Sequence, residues 1–304
     1  MRSSAARLRP AHRWFILTPT RIAAIMTRQP VTRFAPSPTG EMHLGHAFSA
    51  MVASHIGGGY ILRIDDIDHT RCQDRFVTGI LDDLRWLGLA WRGAPVFQSD
   101  RLATYEDALR RLQAMDLVYP CYLTRKELDA VLSAPHGSPA PLATDSLLPA
   151  AETARRASDG RAAAWRLRSA AALDRAGPIS WFDARSGRDV AVDMAAHGDV
   201  VIARRDIGTS YHLSVVVDDA MDGVTHVTRG EDLADSTHVH RLLQALLGVP
   251  SPVYFHHALV TAKSGKRLAK RDKAASLASL RAAGQTVDNI VANLPPLSSL
   301  KLLQ

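Results

Sequence analysis

Cysteine is almost absent from this chain: Cys72 and Cys121 are the two among 304 residues. That excludes a disulfide framework and an all-cysteine zinc site, and it fits a reducing, cytoplasmic setting. Lysine is scarce as well, with none before Lys126. No run of about 18 apolar residues occurs, so no segment reads as membrane-spanning. Internal repeats are missing too, which excludes a solenoid.

What remains is a chain that is 46% hydrophobic, with a net charge of +7 and a pI near 9.7. Such a chain buries a substantial core as one large domain or two smaller ones. The basic balance fits a polyanionic partner, although composition alone produces the same number in many proteins. Residues 1–40 carry seven arginines and no acid. Their apolar stretch "WFILTPT" is too short and interrupted for a signal core. Residues 1–25 read as a leader without fixed structure, or as residues ahead of a true start at Met26.

From there the pattern alternates. "VTRFAP" reads as a short buried strand, "EMHLGHAFSAMVASHI" as a helix, "YILRIDDID" as a strand that ends in acids, and "RFVTGILDDLRWLGLAW" and "DRLATYEDALRRLQAMDLVY" as helices. This spacing predicts a parallel α/β sheet. Residues 113–198 break the rhythm with a Pro/Ala/Ser-rich loop and two segments, "WRLR" and "ISWFDARSGRD", that read as antiparallel strands. The α/β signal returns with "VVI" and "LSVVVDDA", both read as buried strands, and with the helix "DSTHVHRLLQALLG", for which Asp235 or Ser236 is the candidate N-cap.

Two short stretches carry chemistry. In "RFAPSPTGEMHLGH" a Pro/Ser/Thr/Gly turn leads from strand to helix, and His43 and His46 follow it. A helix N-terminus reached through such a turn is a natural phosphate seat, and a histidine there can donate to a phosphoryl oxygen as charge develops. Taken alone, a His-x-x-His pair is equally two ordinary half-buried helix histidines. The second stretch is "KSGKRLAKRDK", which gathers Lys263, Lys266, Lys270 and Lys273 in a chain that otherwise uses arginine. Lysine is a mobile point charge suited to phosphates that move during reaction; an isolated run of this kind is also a plain solvated loop.

Together, "HLGH" at 43–46 and "RLAKR" at 267–271 resemble the two signatures of class I aminoacyl-tRNA synthetases. "RFAPSPTG", "LRIDDID" and "VVVDDAMDGVTHVTRGEDL" are similar to the glutamyl-tRNA synthetase branch. The length resembles its truncated group, which loads glutamate onto the queuosine base of tRNA(Asp) instead of a tRNA 3′ end. The resemblance runs over about residues 31–275 and implies an α/β fold. The expected architecture is a Rossmann-type class I catalytic domain with an inserted α+β subdomain and a short helical C-terminal segment. The expected boundaries are a leader at 1–30, the two catalytic halves at 31–112 and 199–250, an acceptor-binding insertion at 113–198, and the lysine loop with a truncated helical stem at 251–304.

The resemblance also implies roles. Arg33, Ala35 and Ser37 line a glutamate pocket that Tyr211 and Arg229 complete, with Arg229 as the bidentate clamp on the γ-carboxylate. Asp65 stands where the family usually has Glu, facing the substrate ammonium one methylene short. His43, Gly45 and His46 hold ATP, Arg267 and Leu268 lie beside it, and Lys270 stabilises the leaving pyrophosphate. Arg267 and Ala269 depart from the family's usual lysine and serine. Zinc is not expected, because Leu123 replaces the second thiol of a Cys-x-Cys pair that begins at Cys121.

The implied reaction uses ATP with Mg²⁺, forms glutamyl-adenylate, and passes glutamate to a hydroxyl of the modified base without a side-chain nucleophile. The implied partners are glutamate and a queuosine-bearing tRNA, most naturally tRNA(Asp), with the enzyme a monomer. Two alternatives stay open: a truncated glutamate–tRNA ligase that charges a 3′ end, and a catalytically silent RNA-binding remnant.

Overall fold

The computed structural model describes residues 29–124, 126–128, 144, 147–260 and 275–300. Most of the leader and the whole lysine run lie outside them. Strand β1 (Thr32–Phe34) pairs in parallel with β2 (Tyr60–Ile64), and β2 with β3 (Val96–Phe97). Between them run α1 (Leu44–Gly57) and, after β2, α2 (Asp74–Trp86). Helix α1 lies close on β1 because small residues face the sheet: Ala47, Ala50 and Ala53 are fully buried, and Thr32 Oγ1 donates to the Ala53 carbonyl at 2.8 Å.

The sheet continues through residues far along the chain. Strand β9 (His226–Gly230) lies beside β1, where the Val31 carbonyl accepts from the backbone N–H groups of Thr225 and His226 at 2.9 and 3.1 Å. Strand β10 (Val253–His257) then pairs in parallel with β9 on one side and with β6 (Ser180–Asp183) on the other. Antiparallel β7 (Arg188–Ala191) closes that edge. The two runs, β3-β2-β1 and β9-β10-β6-β7, meet at β1 and β9 through the Val31 hydrogen bonds, and there the order of connection reverses, which is where open α/β sheets bind ligands.

A second, antiparallel sheet is built from β4 (Val118–Cys121), β5 (Ala164–Leu167) and β8 (Val201–Ala203). Helices α3 (Leu102–Ala114), α4 (Ala150–Ser158) and α5 (Ser169–Ala176) flank its strands in sequence. The "WRLR" and "ISWFDARSGRD" segments both form antiparallel strands, but the second also joins the parallel sheet through β6. Conversely "VVI", read as a return to the parallel sheet, supplies β8 of the antiparallel one.

"LSVVVDDA" is not a strand. It forms most of α6 (Tyr211–Met221), whose Ser210 hydroxyl caps it by accepting from the Leu213 N–H. Every residue from Leu213 to Asp219 is buried, Ser214 and both aspartates included, so no solvent-facing polar stripe marks a helical period in the sequence. Helix α7 (Ser236–Leu247) matches its expectation in extent, although the Asp235 side chain makes no capping bond. Short helices α8 (Leu277–Ala282) and α9 (Val287–Ala292) pack Leu277 and Ile290 into the same core as α1 and β2, and Leu294, just beyond α9, joins them.

Candidate active site

The turn after β1 is pinned from two directions. Pro36 accepts from the backbone N–H of Asp65 at the end of β2, and Pro38 from that of Gln73 at the start of α2, both at 3.0 Å. His43 is the N-cap of α1 and not a residue of its first turn. Its Nδ1 accepts from the Gly45 N–H at 3.1 Å, while His46 Nδ1 accepts from the His43 N–H at 3.2 Å, a reciprocal capping box made by two imidazoles. The rings lie 3.9 Å apart between centroids. Each Nδ1 being an acceptor, each neutral ring carries its proton on Nε2, so two N–H donors stand side by side at a helix N-terminus.

These histidines line a cleft of about 500 Å³ at the reversal point of the sheet. The cleft brings together Arg33, Ala35, Ser37, His43, Gly45, His46, Asp65, Tyr211 and Arg229, all named from sequence. Arg267, Leu268 and Lys270 lie outside the described residues. Their flanks do not: Val260 lines the cleft, and Ser276 bridges to His43 while Leu277 donates to the Met42 carbonyl at 2.8 Å.

Other lining residues had gone unassigned, among them Arg63, Gly230, Asp232 and His257. "RGED" had drawn a role only for its arginine. Gly230 has a clear steric reason: a Cβ there would stand 2.5 Å from Asp232 Oδ1 and 3.0 Å from Leu259. Gly45 is likewise tight, since its Cβ would meet the His43 ring at 3.0 Å. His257 lies under the histidine turn, 3.0 Å from the Ser49 hydroxyl.

Three arginines reach this cleft, in two electrostatic settings. Arg33 donates through Nε to Asp219 at 3.1 Å and through Nη1 to the Thr228 carbonyl at 3.0 Å. Arg63 is fully buried and donates to Asp65 at 2.7 Å and to Asp219 at 2.6 Å. Burial works against the charge of Arg63, but Asp65, Asp219 and Asp218 outweigh it and hold the group firmly cationic. Burial also pushes the Asp65 carboxyl up to about 6 despite the Arg63 contact, whereas Arg33 and Arg63 overcome burial at Asp219 and keep it below the usual range.

Arg229 differs. Its donors go to His256 Nε2 at 3.3 Å, His240 Nδ1 at 3.1 Å, Thr237 Oγ1 at 2.6 Å and, at a longer 3.4 Å, Tyr211 Oη. Among the described residues no carboxylate pairs with it. A buried guanidinium without a counter-anion is a receptor for one.

A smaller cleft of about 250 Å³ opens on the far side of Ser37, Asp65 and Tyr211 and is walled by Asp68, Arg71, Gln98 and Arg204. The Thr70 hydroxyl, Arg71 and Arg204 hold the Asp68 carboxyl well below its ordinary range. Elsewhere, Cys121 and Leu123 are buried with Tyr119 in a small cluster that Leu128, Leu147 and Leu148 cover. Among the described residues no three His, Cys, Asp or Glu side chains are grouped to hold a metal.

Residues 29–293 match the family model of class I tRNA synthetases (E and Q), catalytic domain. The chain is 47% identical over 276 residues to the glutamyl-Q tRNA(Asp) synthetase of Rhodobacter capsulatus, an alignment that covers 86% of this chain and 98% of that protein. The chain belongs to the glutamyl-Q tRNA(Asp) synthetases, within the class I synthetases. The Symbiobacterium thermophilum member of this family is 42% identical, with 88% of this chain and 86% of that protein covered. Against glutamate–tRNA ligase 2 of a Methylobacterium the identity is 40%, but the alignment takes in only 57% of that longer protein. Among solved structures, the glutamate tRNA ligase of Elizabethkingia meningosepticum in complex with its amino acid superposes with a TM-score of 0.67 at 30% identity, over 81% of this chain and 52% of that one. The family thus shares the Rossmann-like parallel sheet and antiparallel insert described above.

Proposed function

We propose that this protein activates glutamate with ATP and transfers it to the queuosine base of tRNA(Asp). The observation that carries the proposal is the pairing, within one cleft, of an unneutralised Arg229 with a helix N-terminus bearing two imidazole N–H donors. The first suits an amino acid with a side-chain carboxylate; the second suits the phosphates of ATP.

In this reading the γ-carboxylate of glutamate takes the Arg229 fork beside Tyr211, and Asp65 receives the ammonium. The α-carboxylate is then free to attack the α-phosphorus. The bond from that phosphorus to the bridging oxygen breaks, pyrophosphate leaves, and glutamyl-adenylate forms. His43 and His46 donate to phosphate oxygens as their charge rises, so positioning and electrostatics provide the acceleration. Lys270 supports the leaving pyrophosphate from a segment whose two flanks stand at the cleft. A hydroxyl of the modified base next attacks the acyl carbon and AMP departs. The second cleft, which shares Ser37, Asp65 and Tyr211 with the first, gives that base a route to the acyl carbon.

Magnesium is expected to arrive with ATP, carried by phosphate oxygens and water. For structural zinc the residues do not fit: Leu123 offers no donor, and Cys121 is enclosed by apolar side chains. The near-complete coverage of the glutamyl-Q relatives favours this reading over a 3′-end ligase.

The deciding experiment incubates the protein with labelled glutamate, ATP and total tRNA from cells with and without queuosine. Label should enter only queuosine-containing tRNA and remain after enzymatic removal of the terminal adenosine. Label released with that adenosine would make the protein a minimal glutamate–tRNA ligase. Lys270→Ala should abolish glutamate-dependent ATP–pyrophosphate exchange.

A further inference from the structure

The contacts of Arg229 fix more than its position. A guanidinium only donates, so His240 Nδ1 and His256 Nε2 must both be lone pairs. His240 therefore carries its single proton on Nε2, which stands 3.1 Å from His212 Nδ1 and donates to it. His212 in turn holds its own proton on Nε2. On the other side, Thr237 Oγ1 accepts from Arg229 Nη2 and donates to His256 Nε2 at 3.1 Å. Donor geometry thus locks each of the three imidazoles into one tautomer.

These groups come from every element around the guanidinium: His212 and Tyr211 from α6, Thr237 and His240 from α7, Tyr254 and His256 from β10, and Arg33 from β1. Burial, reinforced by the Arg229 charge, holds His240 far below the ordinary imidazole range and brings His212 and His256 to about 4. Burial also pushes the Tyr254 phenol up to about 12, and its ring lies 5.5 Å from the Arg229 carbon. Asp219 pairs with Arg33 and Arg63 and makes no ion pair with Arg229 among the described residues. Among the described residues, every hydrogen-bond partner of Arg229 is a neutral side chain.

We infer that His240 and His256 are positioning residues that set the choice of a carboxylate over a carboxamide side chain, by holding Arg229 rigidly without neutralising it. This rests on the assignment of Arg229 to the γ-carboxylate. Aspartates balance the other two arginines of the cleft, and an aspartate at either histidine position would anchor Arg229 equally well. It would also cancel the charge that tells glutamate from glutamine. A neutral acceptor anchors the fork and leaves its charge for the ligand, so a carboxylate gains an ion pair in a buried site where a carboxamide gains only hydrogen bonds.

The test is ATP–pyrophosphate exchange by the full chain with glutamate and with glutamine. His240→Asp should raise KM for glutamate about 30-fold or more, change kcat less than about threefold, and lower the glutamate-to-glutamine ratio of kcat/KM by a similar factor. His240→Asn, which places a neutral oxygen near the former Nδ1, should raise KM by no more than about fivefold. His256→Glu and His256→Gln repeat the comparison from β10, and ATP binding reports that each variant is folded. An aspartate variant with the wild-type substrate ratio, or an asparagine variant as impaired as the aspartate one, overturns the inference. So does a nitrogen-15 spectrum of the unmodified protein near pH 7 that shows either imidazole as a cation, a measurement that needs no variant. Arg229→Gln separates the two levels of argument. If it leaves glutamate KM unchanged, the clamp itself is wrong; if it loses glutamate while the histidine pairs behave alike, only the role of the histidines fails.

Discussion

Arg63 and Asp65, two residues apart at the end of one strand, are joined by a 2.7 Å hydrogen bond between Nε and Oδ1 in a site almost closed to water. Yet burial still holds the Asp65 carboxyl at about 6. In the proposed pocket Asp65 has to be ionised to receive the substrate ammonium. KM for glutamate should therefore be flat above pH 7 and rise roughly tenfold per pH unit well below 6, with kcat less affected. The sign for folding is opposite: a carboxyl raised in the folded state favours the fold most when protonated, and that contribution is lost as pH rises through about 6. Exchange kinetics between pH 5 and 8 decide, and a flat KM across that range would remove Asp65 from substrate binding.

Asp219 balances both Arg33 and Arg63. Asp219→Asn leaves two buried cations short of a partner and should cost about 3 kcal/mol, in line with other broken buried pairs. In a chain of this size that is a fall in Tm of about 6–12 °C. Thermal unfolding followed by circular dichroism measures it, and an unchanged Tm would mean that the network reorganises at little cost.

Asp83 presents the reverse case. It is 1% exposed, its Oδ1 makes no hydrogen bond, and the nearest cation, Arg281, stands at 3.4 Å. Burial pushes its carboxyl up to about 6. With the folded-state value raised, stability falls as pH climbs from about 4 through 6, so Asp83→Asn should raise Tm by about 2–4 °C at pH 7.5, by roughly half as much at pH 5, and have little effect near pH 3. A lower Tm at pH 7.5 would show that the Arg281 contact outweighs burial.

Metal content is a direct check on the antiparallel sheet. With Cys121 enclosed by leucines, purified protein should contain well under one zinc per chain, and chelator should leave Tm unchanged. One tightly bound zinc per chain would require ligands outside the described residues.

The parts of the site legible in the sequence are those whose signal is local. "RFAPSPTG" followed by "HLGH" marks a strand, a turn and a helix N-terminus within sixteen residues, and the structure keeps all three together. Tyr211 and Arg229 were legible only through resemblance, since nothing near them in sequence says that they face each other. Arg63 carries no signal within "YILRIDDID", because its partners Asp218 and Asp219 lie about 155 residues further on. The segment that holds these two acids, "LSVVVDDA", reads as a buried strand on its apolar run, whereas it is helical with both acids buried. His240 and His256 gave no signal at all: one sits on an amphipathic helix and the other in an apolar strand, and only the packing of α7 against β10 brings both to the same guanidinium.

The placement of β1 between β2 and β9 has a consequence for how the protein is made. Arg33 leaves the ribosome early, but its carboxylate partner follows 186 residues later and the strand beyond β9 later still. At about 5–20 residues per second, the first half of the sheet waits some ten seconds or more with the β1 edge bare. The cleft, lined from β1, β2, α6 and β9, is complete only once β9 and β10 have been made. Until then the nascent chain carries the residues of the proposed glutamate pocket without the pocket, and a bare sheet edge of that kind is open to pairing with other chains.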